Sequence, residues 1–98
     1  FSDQVSRMYM VISYDIESDK RRTLLHRTLK NYGQWVQYSV FECDLIRAQY
    51  LRLRYRLDEL IREKEGDSVR LYFLCEDCQR KVERIGGIIP LQRGSVIV

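Results

Sequence analysis

Residues 8–14, MYMVISY, form an unbroken apolar run, rich in β-branched and aromatic side chains, that ends on a carboxylate at Asp15. A run of this length and character predicts a central strand covered on both faces. The chain has 98 residues, 45% of them hydrophobic and 32% charged, with a single proline, which suits one folded domain rather than a disordered segment. A chain of this size buries roughly 60–65% of its unfolded surface on folding, leaving little for a second module. No apolar stretch approaches the ~20 residues of a membrane span. The first seven residues, FSDQVSR, lack an apolar signal core and are expected to be an extension upstream of a start at Met8.

Downstream of Asp15, Ser18 or Asp19 can cap a helix whose apolar positions Leu24, Leu25, Thr28, Leu29 and Tyr32 follow a 3.6-residue period, with Gly33 as a left-handed stop. Its basic first turn is expected to face solvent. QWVQYSVFECD, residues 34–44, holds no Gly, Pro or Asn, so periodicity alone gives one long strand. Arg47–Lys64 reads as a second amphipathic helix closed by Gly66 and Asp67, and SVRLYFL at 68–74 as a strand. Lys81–Ile85 reads as a short strand, Gly86, Gly87 and Pro90 as a bend, and GSVIV at 94–98 as a terminal strand. Left unpaired, that last run would be an aggregation hazard, and the usual cure is addition to a sheet edge, in its own subunit or a second one. Strands alternating with two helices in so short a chain predict an α+β sandwich, one sheet with helices on one face, in the ferredoxin-like arrangement.

Three cysteines without a secretion signal point to free thiols in a reducing compartment, the cytoplasm by default. The net charge of +3 permits a nucleic-acid partner without demanding one, but between Ser18 and Gly33 the residues Lys20, Arg21, Arg22, Arg27 and Lys30 face the lone acid Asp19. DIESD at 15–19 opens like a calcium loop, yet the sixth and twelfth positions, where Gly and Glu are required, hold Lys20 and His26. CEDC at 75–78 lacks further zinc ligands at a recognised spacing and is expected to lack the helix of a redox dithiol; thiols packed at a strand end are the simpler reading. Cys43 reads as core, and His26 as a polar-face helix residue or, less simply, a general base. No phosphate-binding glycine loop or nucleophile elbow occurs, which removes nucleotide hydrolysis and acyl transfer. Asp15 can be a strand-end cap, a partner for Arg21 or Arg22, or a ligand for a hard divalent cation, Mg²⁺ or Mn²⁺. One carboxylate per chain is thin for a metal, but a twofold homodimer presents the same aspartate twice.

YDI at 14–16 after an apolar strand, KRR at 20–22, YG at 32–33, QYSVFEC at 37–43, DSVRLYFLCEDC at 67–78 and KVERIG at 81–86 together resemble the CRISPR-associated endoribonuclease family, the smaller of the two universal spacer-acquisition proteins. The resemblance covers Met8 to about Gly86. It implies a ferredoxin-like βαββαβ domain over residues 8–86 in a homodimer, with segment 87–98 pairing onto the partner's sheet, and a split of the 34–44 strand near Ser39–Phe41. It places the metal aspartate at Asp15 and the phosphate-contacting base at Arg22, with Tyr14, Ser39 and Phe41 supporting the site. Trp35 stands where some relatives have an arginine shortly before QYS, and Leu24 stands two after Arg22. The implied activity is divalent-metal-dependent endonuclease cleavage, of single-stranded RNA or in some members double-stranded DNA. The alternative is a non-catalytic role holding DNA in the spacer integration complex, beside the large integrase subunit. Basic candidates for nucleic-acid contact are Lys20, Arg21, Arg22 and Arg27, with Arg52, Arg54 and Arg56 on the second helix. From form alone, a toxin-like or regulatory ferredoxin-fold binding module is a third possibility.

Overall fold

In the computed structural model, which describes residues 7–86, MYMVISY is the middle of a nine-residue strand, β1 (Arg7–Asp15). The chain continues through α1 (Asp19–Lys30), β2 (Gly33–Gln37), β3 (Val40–Ile46), α2 (Arg47–Leu60), a 3₁₀ turn (Glu63–Glu65), β4 (Ser68–Leu74) and a short α3 (Glu76–Arg80). The sheet order is β2-β3-β1-β4 with all pairs antiparallel, which with α1 and α2 gives the ferredoxin-like βαββαβ sandwich. Residues 1–6 of the expected extension, and the 87–98 segment with its expected strand, lie outside the described residues. Arg7 belongs to the fold rather than to an extension: it pairs with Ile46 across the sheet, and its guanidinium donates to Asp44 Oδ1 at 3.1 Å.

β1 is central, between β3 and β4, as its composition predicts, but its two faces differ. Met10, Ile12 and Tyr14 are buried, while Tyr9, Val11 and Ser13 between them are only partly covered and Asp15 is exposed. In a strand, alternate residues share a face. The even-numbered side joins Phe41, Cys43, Leu45, Leu25, Leu29, Leu53 and Leu57 in the core. The other side of the sheet carries no helix among the described residues, so the expectation of a strand covered on both faces is corrected for the single chain.

The 34–44 stretch is two strands, as the family resemblance implies and periodicity does not. The turn falls at Tyr38–Ser39, where Tyr38 takes a positive φ of 36° and Trp35 Nε1 donates to the Tyr38 carbonyl at 2.8 Å. A side-chain bond thus holds a left-handed turn residue that glycine or asparagine would ordinarily supply. Gly33 does not end α1 in a left-handed conformation; Asn31 caps that helix with right-handed angles. Gly33 lies in β2, where an added Cβ would sit 2.3 Å from Cys43 Sγ and 2.5 Å from the Glu42 carbonyl oxygen. Gly33→Ala is therefore expected to push β2 from β3 and to cost about 1–3 kcal/mol, the range for overpacking, read as a lower urea midpoint at unchanged slope.

α1 starts on Ser18, whose hydroxyl accepts from the Arg21 N–H at 3.2 Å. α2 stops at Leu60 instead of Lys64. The Arg62 N–H, which would continue the helix, donates to Asp67 Oδ2 at 2.9 Å, and Gly66 closes the following turn at φ 93°. Residues 82–85 form no strand; Arg84 lies against the sheet, its guanidinium on Glu42, which also accepts from the Tyr9 hydroxyl at 2.7 Å. Burial, with the neighbouring Glu42 next, raises the Tyr9 phenol to about 12.

Candidate nucleic-acid and metal site

Asp15 is the last residue of β1, in register with Ser68 of β4. Its side chain takes the same side as Tyr9, Val11 and Ser13, the sheet face free of helices. It is exposed and makes no hydrogen bond or ion pair with any described residue, so it neither caps the strand end nor partners Arg21 or Arg22. An acid held at the end of a rigid strand, with its oxygens unspent, suits an incoming cation.

The basic residues that follow divide into two sets. Arg21 turns inward, its side chain 20% exposed: Nε donates to Asp67 Oδ2 at 2.9 Å, Nη2 to Asp67 Oδ1 at 3.1 Å, and Nη1 meets Glu65 at 2.9 Å. The expectation of a solvent-facing Arg21 in contact with phosphate does not match a guanidinium spent on two carboxylates. Arg22 stays near the Asp15 loop, with Nη2 donating to the Ile16 carbonyl at 3.0 Å and Nη1 on Asp19. Lys20 and Arg27 are exposed and carry no ion pair with described residues; Thr23 and the partly exposed Leu24 separate them along α1. On α2, Arg54 and Arg56 are paired with Asp58 and Glu59, and Arg52 is exposed.

Tyr14, Ser39 and Phe41 lie behind the carboxylate, on the helix side. The Tyr14 N–H donates to the Ser39 carbonyl at 3.0 Å, and its ring stacks on the buried Phe41 with centroids 6.4 Å apart. These three fix the end of β1, and through it the place of Asp15. Burial raises the Tyr14 phenol above its ordinary value, opposed by a hydrogen bond to Ser39 and by the Arg22 charge.

Sequence reasoning missed two features. His26 is not a polar-face residue: its ring meets Phe41 edge-on at 5.1 Å and its Nδ1 is hydrogen-bonded to the Tyr14 hydroxyl at 3.1 Å. Burial first, then Lys30, lowers its pKa, which favours the neutral imidazole. Asp67 is the second: its side chain is fully buried, and it accepts from the backbone N–H groups of Glu17 and Arg62 as well as from Arg21. The Arg21 hydrogen bonds hold its carboxyl down to about 2, against the opposing effect of burial. The signal was a lone acid between a left-handed glycine and an apolar strand, which from sequence alone is indistinguishable from an ordinary turn acid.

A four-stranded antiparallel sheet with two helices on one face, carrying at the end of its central strand an acid unpaired among the described residues and cations on the next helix, defines a ferredoxin-like protein. Residues 8–82 match the family described as CRISPR associated protein Cas2, and the chain belongs to that family. It is 48% identical over 79 residues to the CRISPR-associated endoribonuclease Cas2 1 of Chloroflexus aurantiacus, covering 81% of this chain and 85% of the relative. Its structure is similar to that of Streptococcus pyogenes Cas2 at pH 6.5, with a TM-score of 0.70 and 37% identity over 81% of this chain and all of that one. It is also similar to a chain of a partial Cas6-RT-Cas1–Cas2 complex, with a TM-score of 0.70 and 30% identity over 93% of this chain and 98% of the other.

Proposed function

We propose that this chain is a CRISPR adaptation protein that acts as a homodimer and cleaves single-stranded RNA with a divalent cation held between two copies of Asp15. The observation that carries this reading is the Asp15 carboxylate, exposed and without a partner among the described residues on the sheet face free of helices. Relatives named endoribonucleases support the nuclease class. The partly covered Tyr9, Val11 and Ser13 beside Asp15 support the homodimer, because a sheet face of this kind is suited to packing on a second copy.

The donor chemistry fits Mg²⁺ or Mn²⁺, which take hard carboxylate oxygens, water and phosphate. A single chain brings no group of three or more metal-ligating side chains together among the described residues, so the second Asp15 is part of the site. A cation bound there supplies Lewis-acid stabilisation of phosphate charge and a more acidic water. The protein's own part is positional. The β1 strand and its tie to Ser39 keep each carboxylate in place, while Arg22, anchored on Ile16 O, sets a fixed positive charge beside the loop for the scissile phosphate. Lys20 and Arg27 take up neighbouring phosphates. Arg21 serves the fold.

The test is cleavage of a single-stranded RNA oligonucleotide by the pure protein: cutting with Mg²⁺ or Mn²⁺, loss with a chelator, and recovery on adding the metal back. No cutting of RNA or DNA under any metal would overturn the nuclease reading. A second reading, a DNA-holding adaptor, draws on the exposed cations of α1 and on the Cas1–Cas2 complex in which a structural relative occurs. It predicts binding to the large integrase subunit in the cytoplasm. No described helix is long and apolar enough to cross a membrane. For either reading, replacing both Lys20 and Arg27 with alanine is expected to weaken binding uniformly across sequences. It should also flatten the log–log dependence of affinity on salt by roughly 1–2. Fluorescence anisotropy from 50 to 200 mM salt measures it, and an unchanged slope would move the phosphate contacts elsewhere.

A further inference from the structure

The thiol pair of CEDC is left unused by the site above. Contrary to the sequence-based expectation, a helix does follow β4: Cys75 caps α3, and both Cys75 and Cys78 are exposed rather than packed at the strand end. Cys75 Sγ accepts from the Cys78 N–H at 3.4 Å. No third His, Cys, Asp or Glu joins them in a metal-sized group among the described residues. Cys43 is unlike either of them, being buried in the core.

We propose that Cys75 and Cys78 form a dithiol–disulfide site that is oxidised by low-molecular-weight disulfides, with Cys75 as the attacking thiol and Cys78 as the resolving one. The Cys75 thiolate attacks one sulfur of R–S–S–R, forming the Cys75–S–S–R bond and releasing RS⁻. Cys78, its proton passing to solvent, then attacks the Cys75 sulfur, closing the internal bond and releasing the second RS⁻. Two electrons pass from the protein to the small disulfide, which leaves as two thiols.

The division of labour follows from the contact. The Cys78 N–H, donating to Cys75 Sγ, stabilises a thiolate on Cys75 and lowers its pKa, whereas the neighbouring Cys75 raises that of Cys78. α3, with five residues, is too short to do this by its dipole, so the Cys78 N–H bond to Cys75 Sγ accounts for it. The pair stands where edge strand β4 hands the chain to the segment carrying Arg84 onto Glu42. Oxidation therefore fixes the first turn of α3 at that junction. Burial pushes the Cys43 thiol up to about 12, so it stays reduced and serves as an internal reference.

The test is mass spectrometry of the full chain equilibrated in graded reduced and oxidised glutathione, then alkylated and peptide-mapped. The wild type should lose two hydrogens with a Cys75–Cys78 link and no lasting adduct. Cys78→Ser should stop at a single glutathione on Cys75, and Cys75→Ser should stay largely unmodified. In the reduced protein at pH 7, Cys75 should alkylate roughly tenfold faster than Cys78. Stable mixed disulfides in the wild type without an internal link, or equal alkylation rates at the two positions, would overturn the proposal.

Discussion

Asp15→Asn is expected to lower the proposed divalent-metal-dependent cleavage by roughly 10²–10³-fold, the range seen when one preorganised group that stabilises transition-state charge is removed. The substitution keeps the shape of the side chain and removes the charge, and in a twofold dimer it removes it twice. Because Asp15 is exposed and bonds to no described residue, the fold should hardly register the change. Stability should stay within about 0.5 kcal/mol of wild type, as for a surface substitution remote from any packing or cap. The pairing of a large kinetic effect with a flat denaturation curve is the informative result. Activity that survives Asp15→Asn unchanged would point to a contaminating nuclease and remove the catalytic role.

Asp67→Asn has the opposite signature, a large loss of stability. Asp67 is a buried acceptor at the meeting point of three elements: the β1–α1 loop at Glu17, the start of α1 at Arg21, and the exit of α2 at Arg62. Every partner is a donor, so an amide nitrogen in place of one oxygen faces N–H groups and leaves Arg21 without its buried counter-charge. Breaking a buried pair by removing one member costs about 3–5 kcal/mol, a large share of the ~5–15 kcal/mol that holds a typical domain together. Equilibrium urea unfolding measures it, and a loss below about 1 kcal/mol would contradict the hub role.

The same residue sets a pH dependence with a definite sign. Its carboxyl is held at about 2 in the folded chain, below the ordinary 3.8, so the folded state favours the ionised form. The stabilisation it supplies is complete above the ordinary carboxylate range and is lost as pH falls from about 4 through about 2. The gap between wild type and Asp67→Asn should therefore narrow across that window. A gap that is constant with pH would mean that the charge plays no part.

The residues explain which parts of this architecture were legible beforehand. β1, the Ser18 cap and β4 follow from local period and cap chemistry and hold in the fold; of the expected α1 stripe, Leu25, Thr28 and Leu29 are buried, whereas Leu24 is exposed and Tyr32 lies beyond the helix end. The β2–β3 turn was invisible to periodicity because a tyrosine occupies the left-handed position and the Trp35 indole, three residues earlier, secures its carbonyl, a bond that no turn-forming residue type announces. The early end of α2 was hidden for a related reason: Asp67 takes the Arg62 N–H from across a turn, and no breaker residue marks the place. Arg21 and Arg22 are adjacent and alike in sequence, yet helix rotation sends one to Asp67 and the other to the Asp15 loop. Asp15 itself stood out because a carboxylate ending an apolar strand is chemically abrupt. The proposed sharing of a cation with a second copy can be argued from ligand number but not from any single-chain pattern.

The central claim is that two copies of Asp15 grip one cation, and anomalous scattering from a Mn²⁺-soaked crystal of the dimer tests it most directly. The account predicts one manganese peak on the twofold axis within coordination distance of both carboxylates, absent in Asp15→Asn. Two Asp15 side chains held far apart, or manganese bound elsewhere with these carboxylates empty, would contradict it.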